Sequence, residues 1–90
     1  MRQPAQLQEM QHSPLVFSRE GCVQCNATYR ALNAKGIEYK VLTVTEDVAD
    51  DLRELGFQQL PVVKAPGMKS WSGFNPGKID ELAAILGGAR

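Results

Sequence analysis

The chain has 90 residues, 43% of them hydrophobic, with ten lysines and arginines balanced by ten aspartates and glutamates. That length makes one domain with a core of modest size, and a net charge of zero with no long run of either sign leaves no electrostatic footprint for nucleic acid or an anionic membrane surface. No apolar run approaches the roughly 18–20 residues of a membrane span, and residues 1–14, rich in glutamine, lack the apolar centre of a secretory signal. We therefore expect a soluble, cytoplasmic monomer, in a compartment where thiols are kept reduced and a cysteine pair serves chemistry rather than structure.

Residues 1–13 carry Ala5, Leu7 and Met10 at no clean period and read as a flexible amino-terminal arm, with His12 as a solvated tail residue. The folded domain is expected over 14–90. Pro14 is tolerated as the first residue of a strand, and Leu15-Val16-Phe17 is a short continuous apolar run that suits a strand covered on both faces. A polar bend, Ser18-Arg19-Glu20-Gly21, then leads to Cys22 and Cys25, which stand where a helix begins. Val23, Ala27, Ala31 and Ala34 recur at helical spacing, with Tyr29 and Leu32 on an adjoining strip. This predicts a helix over 23–35 that lies against the sheet by its alanines, with Asn26 and Thr28 toward solvent or the helix start. Gly36 would close it as a left-handed cap.

Residues 37–44, rich in Tyr, Val, Leu and Thr, read as a second strand. Strand, helix and strand in so short a stretch form a βαβ unit, so these two strands should run parallel and the cysteines should sit at the carboxyl end of the first. Thr45 is a plausible N-cap with Glu46 and Asp47 in the first turn, Val48, Leu52 and Leu55 share a face, and Gly56 ends the helix. Pro61-Val62-Val63 opens a third strand, Pro66-Gly67 suits the centre of a type II turn, and Met68-Lys69-Ser70-Trp71 returns as its hairpin partner. Asn75-Pro76 starts the last helix as N-cap and first helical residue, with Ile79, Leu82, Ala83 and Leu86 along one face and Gly87-Gly88 at its close. The order is βαβ, then α, then ββα.

Two cysteines three apart at a helix start have Cα atoms about 5–6 Å apart, within reach of a disulfide. Cys22 would meet the unpaired N–H groups and positive dipole of the helix N-terminus, which lower a thiol pKa below its ordinary value, while Cys25 would be shielded one turn inside. The first thiol is thus the nucleophile and the second the resolving partner in disulfide exchange. The pair has other chemical uses to set beside this one. A tetrahedral zinc site wants four ligands, and His12 is the only further candidate; an iron–sulfur module would need a second pair, as across a dimer. A purely structural bond would close too short a loop to constrain the unfolded chain much.

The element order, with Cys-x-x-Cys after the first strand and a proline opening the third, resembles the thioredoxin fold in its short glutaredoxin-like form, an α/β fold with a four-stranded mixed sheet and three flanking helices. More narrowly, Cys22-Val23-Gln24-Cys25-Asn26-Ala27-Thr28, Gly36-Ile37-Glu38-Tyr39, Leu60-Pro61-Val62-Val63 and Trp71-Ser72-Gly73-Phe74 resemble the NrdH-redoxins. The resemblance covers roughly 14–86. It implies a dithiol electron carrier with no bound cofactor beyond its redox-active disulfide Cys22–Cys25, serving the large subunit of a class Ib ribonucleotide reductase and recharged by thioredoxin reductase with electrons from NADPH.

The same resemblance implies a cis Pro61 facing the cysteines, with Leu60, Pro61, Trp71, Ser72, Gly73 and Phe74 as the substrate-binding set. Trp71 is read equally as a core residue, and Phe74 as a turn residue. The alternatives are a glutathione-dependent glutaredoxin or a general protein disulfide reductase, and, in another class, the metal or iron–sulfur module. Glutathione-dependent members carry a charged clamp near the last helix that Trp71-Ser72-Gly73-Phe74-Asn75-Pro76 lacks. The chain also departs from the NrdH-redoxin pattern, with Asn75-Pro76-Gly77 where Arg-Pro-Asp is common and Leu42-Thr43-Val44 where a Val-Asp pair is common.

Overall fold

A computed structural model describes residues 13–87. The arm expected over 1–13, His12 included, lies outside the described residues except for Ser13, as does Gly88. The described elements are β1 (Leu15–Ser18), α1 (Val23–Ala34), β2 (Lys40–Thr43), α2 (Glu46–Glu54), β3 (Val62–Lys64), β4 (Trp71–Ser72) and α3 (Pro76–Gly87). The strands form one mixed sheet in the order β2-β1-β3-β4. β1 pairs with β2 in parallel, whereas β3 runs antiparallel to both β1 and β4. This is the expected glutaredoxin-like arrangement.

The register sorts side chains between two cores. Val16 pairs with Val63 and Phe17 with Val62, and because successive strand residues face opposite ways, each pair lands on its own side of the sheet. Val16 and Val63 join Leu32, Ile37, Trp71, Ile79 and Leu82 in the larger cluster, under α1 and α3. Val62 joins Val44 and Leu52 in a smaller cluster under α2, with Phe17, Val48, Phe57 and Leu60 packed against it. An exposed ion pair, Lys35 to Asp80 at 2.8 Å, spans α1 and α3.

Four expectations about packing and strand length need correction. The fully buried face of α1 consists of Cys25, Thr28 and Leu32; of the expected stripe Ala31 does pack against the larger cluster and Ala27 is half-buried, but Val23 is 78% exposed and Ala34 is exposed too. Thr28, expected toward solvent or the helix start, is 0% exposed and turns to the helix start. Its hydroxyl donates to the Gln24 carbonyl oxygen at 2.8 Å, so the polar group enters the core already satisfied. The second strand is also shorter than 37–44. Only Lys40–Thr43 joins the ladder, at the sheet edge and exposed throughout, and the buried anchors are the flanking Ile37 and Val44. Leu55, placed on the buried face of α2, is the exposed C-cap of that helix.

Local signals are followed closely. The Thr45 hydroxyl oxygen caps α2 by accepting from the Val48 N–H at 3.3 Å, and Asn75 caps α3 by accepting from the Lys78 N–H at 3.1 Å. Pro66-Gly67 forms the expected turn, with the Met68 N–H donating to the Ala65 carbonyl and Gly67 at a φ of 79°.

Candidate functional site

β1 ends at Ser18 and the chain turns through Gly21, at a φ of 75°, to deliver Cys22 as the N-cap of α1. Cys22 and Cys25 are joined by a disulfide with Cα atoms 5.1 Å apart. Cys25 is 1% exposed, while Cys22 is only half-buried. The Cys25 N–H donates to the Cys22 sulfur at 3.1 Å, so this sulfur takes one of the donors that a helix start leaves without a backbone partner. Behind the turn, Ser18 Oγ and the Tyr29 hydroxyl share a short hydrogen bond, and the Tyr29 ring stacks on Tyr39 with centroids 5.8 Å apart. Tyr29 thus braces the end of β1 against α1.

Across the disulfide lies the segment before β3. The Leu60–Pro61 peptide bond is cis, and the Leu60 carbonyl oxygen lies 3.6 Å from the Cys22 sulfur. A cavity of about 150 Å³ opens beside Leu60, lined among others by Arg19, Leu52, Arg53 and Phe57. Trp71-Ser72-Gly73-Phe74 follows on the far side of Pro61, tied to it by the Gly73 N–H, which donates to the Pro61 carbonyl at 2.8 Å.

The four residues of that segment differ in what they offer. Trp71 is 6% exposed and belongs to the larger core. Its indole N–H finds no partner, and its ring packs in the core. Gly73 is buried, Ser72 half-buried, and Phe74 39% exposed. The reason lies in the strand: Trp71 pairs with Val63, whose side chain points into the larger core.

Two further residues meet here that the sequence reading did not single out. The Gln24 carboxamide oxygen accepts from the Phe74 N–H at 2.9 Å, and its nitrogen faces Gln59 Oε1 at 3.5 Å. Their positions were the available signal: Gln24 lies between the cysteines and Gln59 immediately precedes Leu60-Pro61. Among the described residues no group of three or more His, Cys, Asp or Glu side chains could hold a metal ion, and no helix is long and apolar enough to cross a membrane.

Residues 15–68, which run from β1 through α2 to the turn after β3, match the Glutaredoxin family. The glutaredoxin-like protein NrdH of Salmonella typhimurium is 49% identical over 69 residues, 74% of this chain and 84% of that one. The chain belongs to the glutaredoxin family, in its NrdH-redoxin branch. The Escherichia coli NrdH is 45% identical over the same shares. Among solved structures, the Escherichia coli NrdH-redoxin, which has a thioredoxin-like activity profile, superposes with a TM-score of 0.71 at 42% identity, covering 78% of this chain and 93% of that one. A glutaredoxin from Archaeoglobus fulgidus gives a TM-score of 0.62 at 25% identity, over 86% and 90% of the two chains. Membership of this branch together with the Cys22–Cys25 pair makes the redoxin a thiol–disulfide oxidoreductase.

Proposed function

We propose that this redoxin is a dithiol electron carrier that reduces the disulfide on the large subunit of a class Ib ribonucleotide reductase and is recharged by thioredoxin reductase with electrons from NADPH. The observation that carries this reading is the inequality of the pair, with Cys22 reachable from solvent and Cys25 sealed beneath it. The NrdH relatives support the choice of partner class.

In the reduced protein Cys22 is the nucleophile. Its negative charge is held by the Cys25 N–H, 3.1 Å away, and by the helix start. The thiolate attacks one sulfur of the target disulfide; the target's other sulfur leaves with the electron pair of that bond and takes up a proton. Cys25 then loses its proton and attacks the Cys22 sulfur of the mixed disulfide, releasing the second target thiolate and re-forming Cys22–Cys25. Two electrons have passed to the target. The reductase returns them by the reverse exchange, drawing on NADPH.

Aim is supplied by the surroundings of Leu60. A partner segment passing as an added strand along the Leu60 backbone brings its sulfur to the Cys22 side, because the Leu60 carbonyl is 3.6 Å from that sulfur. An apolar side chain of that segment fits the cavity beside Leu60, and Ser72, Gly73 and Phe74 form the opposite rim, with the exposed Val23 next to Cys22. Trp71 acts as the floor of this rim. A glutathione cycle has weaker support: the Phe74 N–H is already taken by Gln24, and Asn75-Pro76-Gly77 supplies no charge.

The test supplies the protein with NADPH, thioredoxin reductase, and a class Ib ribonucleotide reductase together with its ribonucleotide substrate, whose reduction re-forms the target disulfide, and follows NADPH consumption. Turnover that depends on all three is expected. Turnover only when glutathione and glutathione reductase replace thioredoxin reductase would overturn the proposal in favour of a glutathione-dependent protein.

A further inference from the structure

The loops that flank the disulfide come from distant parts of the chain, and one side chain joins them. Gln24, in the first turn of α1, accepts from the Phe74 N–H at 2.9 Å and approaches Gln59 Oε1 to 3.5 Å with its nitrogen. The two carboxamides lie directly over Gly73: a Cβ built there would stand 2.7 Å from Gln59 Oε1 and 3.0 Å from Gln24 Oε1. Gly73 is buried with a φ of 80°, so the turn closes over the carboxamides without a side chain of its own. The disulfide turn, the segment before Pro61 and the Gly73–Phe74 turn therefore meet at Gln24.

We infer that Gln24 is a positioning residue for protein substrates, fixing the Gly73–Phe74 turn against the disulfide so that Phe74 stands where a partner chain bearing the target disulfide docks. The inference rests on the proposed reading of that turn as part of the docking rim. It separates the two spacer residues of the motif by task. Val23, 78% exposed, faces the partner; Gln24 turns back to hold the protein's own loop. The bond it makes spans fifty positions of sequence and uses only the Gln24 side chain, whereas the Cys22–Cys25 spacing is set by the backbone at the start of α1.

The test compares Gln24→Met, which keeps length and bulk but has no oxygen acceptor, with Gln24→Glu, whose carboxylate still accepts from the Phe74 N–H. Hydrogen exchange at the Phe74 amide and steady-state reduction of insulin disulfides, driven by NADPH and thioredoxin reductase, are measured on each full-length protein. Gln24→Met should speed exchange at Phe74 and raise KM for insulin by roughly three- to tenfold, the worth of one neutral hydrogen bond. The change in kcat should be less than about twofold, and Gln24→Glu should restore both exchange and KM toward wild type. Faster exchange at Phe74 with an unchanged KM would overturn the inference, as would a KM raised equally by both variants. If wild type itself fails to reduce insulin, the docking reading beneath the inference falls; that outcome differs from an active wild type whose variants match it.

Discussion

The Leu60 carbonyl oxygen lies 3.6 Å from the Cys22 sulfur although 38 positions separate the two residues. The reactive sulfur thus faces a backbone carbonyl on one side and is part-exposed to solvent on the other. Cys25 has no such outlook; it is enclosed at 1% exposure under the first turn of α1. The chemistry of the pair follows from this inequality.

Cys22→Ser should abolish disulfide reduction, because a hydroxyl at the N-cap is not a nucleophile at neutral pH. Cys25→Ser should still attack but fail to resolve, accumulating a covalent adduct with the target. Non-reducing electrophoresis and mass spectrometry of the adduct check both. Trapping by Cys22→Ser instead would reverse the assigned roles.

Leu32 is fully buried at the centre of the larger cluster. Leu32→Ala should destabilise the fold by about 2–5 kcal/mol, through lost burial and the cavity left behind. Val23→Ala, at an exposed position of the same helix, should change stability by less than about 0.5 kcal/mol. Urea unfolding of the two variants is a direct test of which face of α1 is turned inward, and equal losses would refute the assignment.

Gly73 and Gly56 both have positive φ, 80° and 98°, but only Gly73 is crowded. Gly56→Ala meets nothing within 4 Å and should cost about 1–2 kcal/mol, the backbone penalty alone. Gly73→Ala carries a penalty of that kind and must also displace the Gln24 and Gln59 carboxamides, so it should cost more and accelerate hydrogen exchange at Phe74. Thermal unfolding of both variants at one pH measures the difference.

The Lys35–Asp80 pair joins α1 to α3 at 2.8 Å with both side chains well exposed. A double-mutant cycle with Lys35→Met and Asp80→Asn should give a coupling below about 1 kcal/mol that shrinks as salt is added. A coupling several times larger and insensitive to salt would mean that the pair is held away from solvent.

Much of this protein was written in short-range patterns. The cysteine spacing, the Thr45 and Asn75 caps, the Pro66-Gly67 turn and the glycines after α1 and α2 depend on interactions within four residues of chain, so they are visible without knowing what packs where. The order of these elements then led to a parallel βαβ unit and an antiparallel hairpin. The inward face of α1 was not visible in the same way. Periodicity favoured the alanines, of which Ala31 does pack inward, but the fully buried positions are Cys25, Thr28 and Leu32, and Thr28 is satisfied there by donating its hydroxyl hydrogen bond to the Gln24 carbonyl.

By itself the chain determined the order and kind of its elements, where the helices begin, which sulfur stands at a helix start, and the family it resembles. The tertiary structure alone decided that Trp71 is core and not surface, that Lys40–Thr43 is an exposed edge, and that Gln24 reaches Phe74. The physical reason is range. Capping and turn preferences are local, whereas burial and loop-to-loop hydrogen bonds depend on which distant segment arrives alongside, and no period in the sequence encodes that arrival.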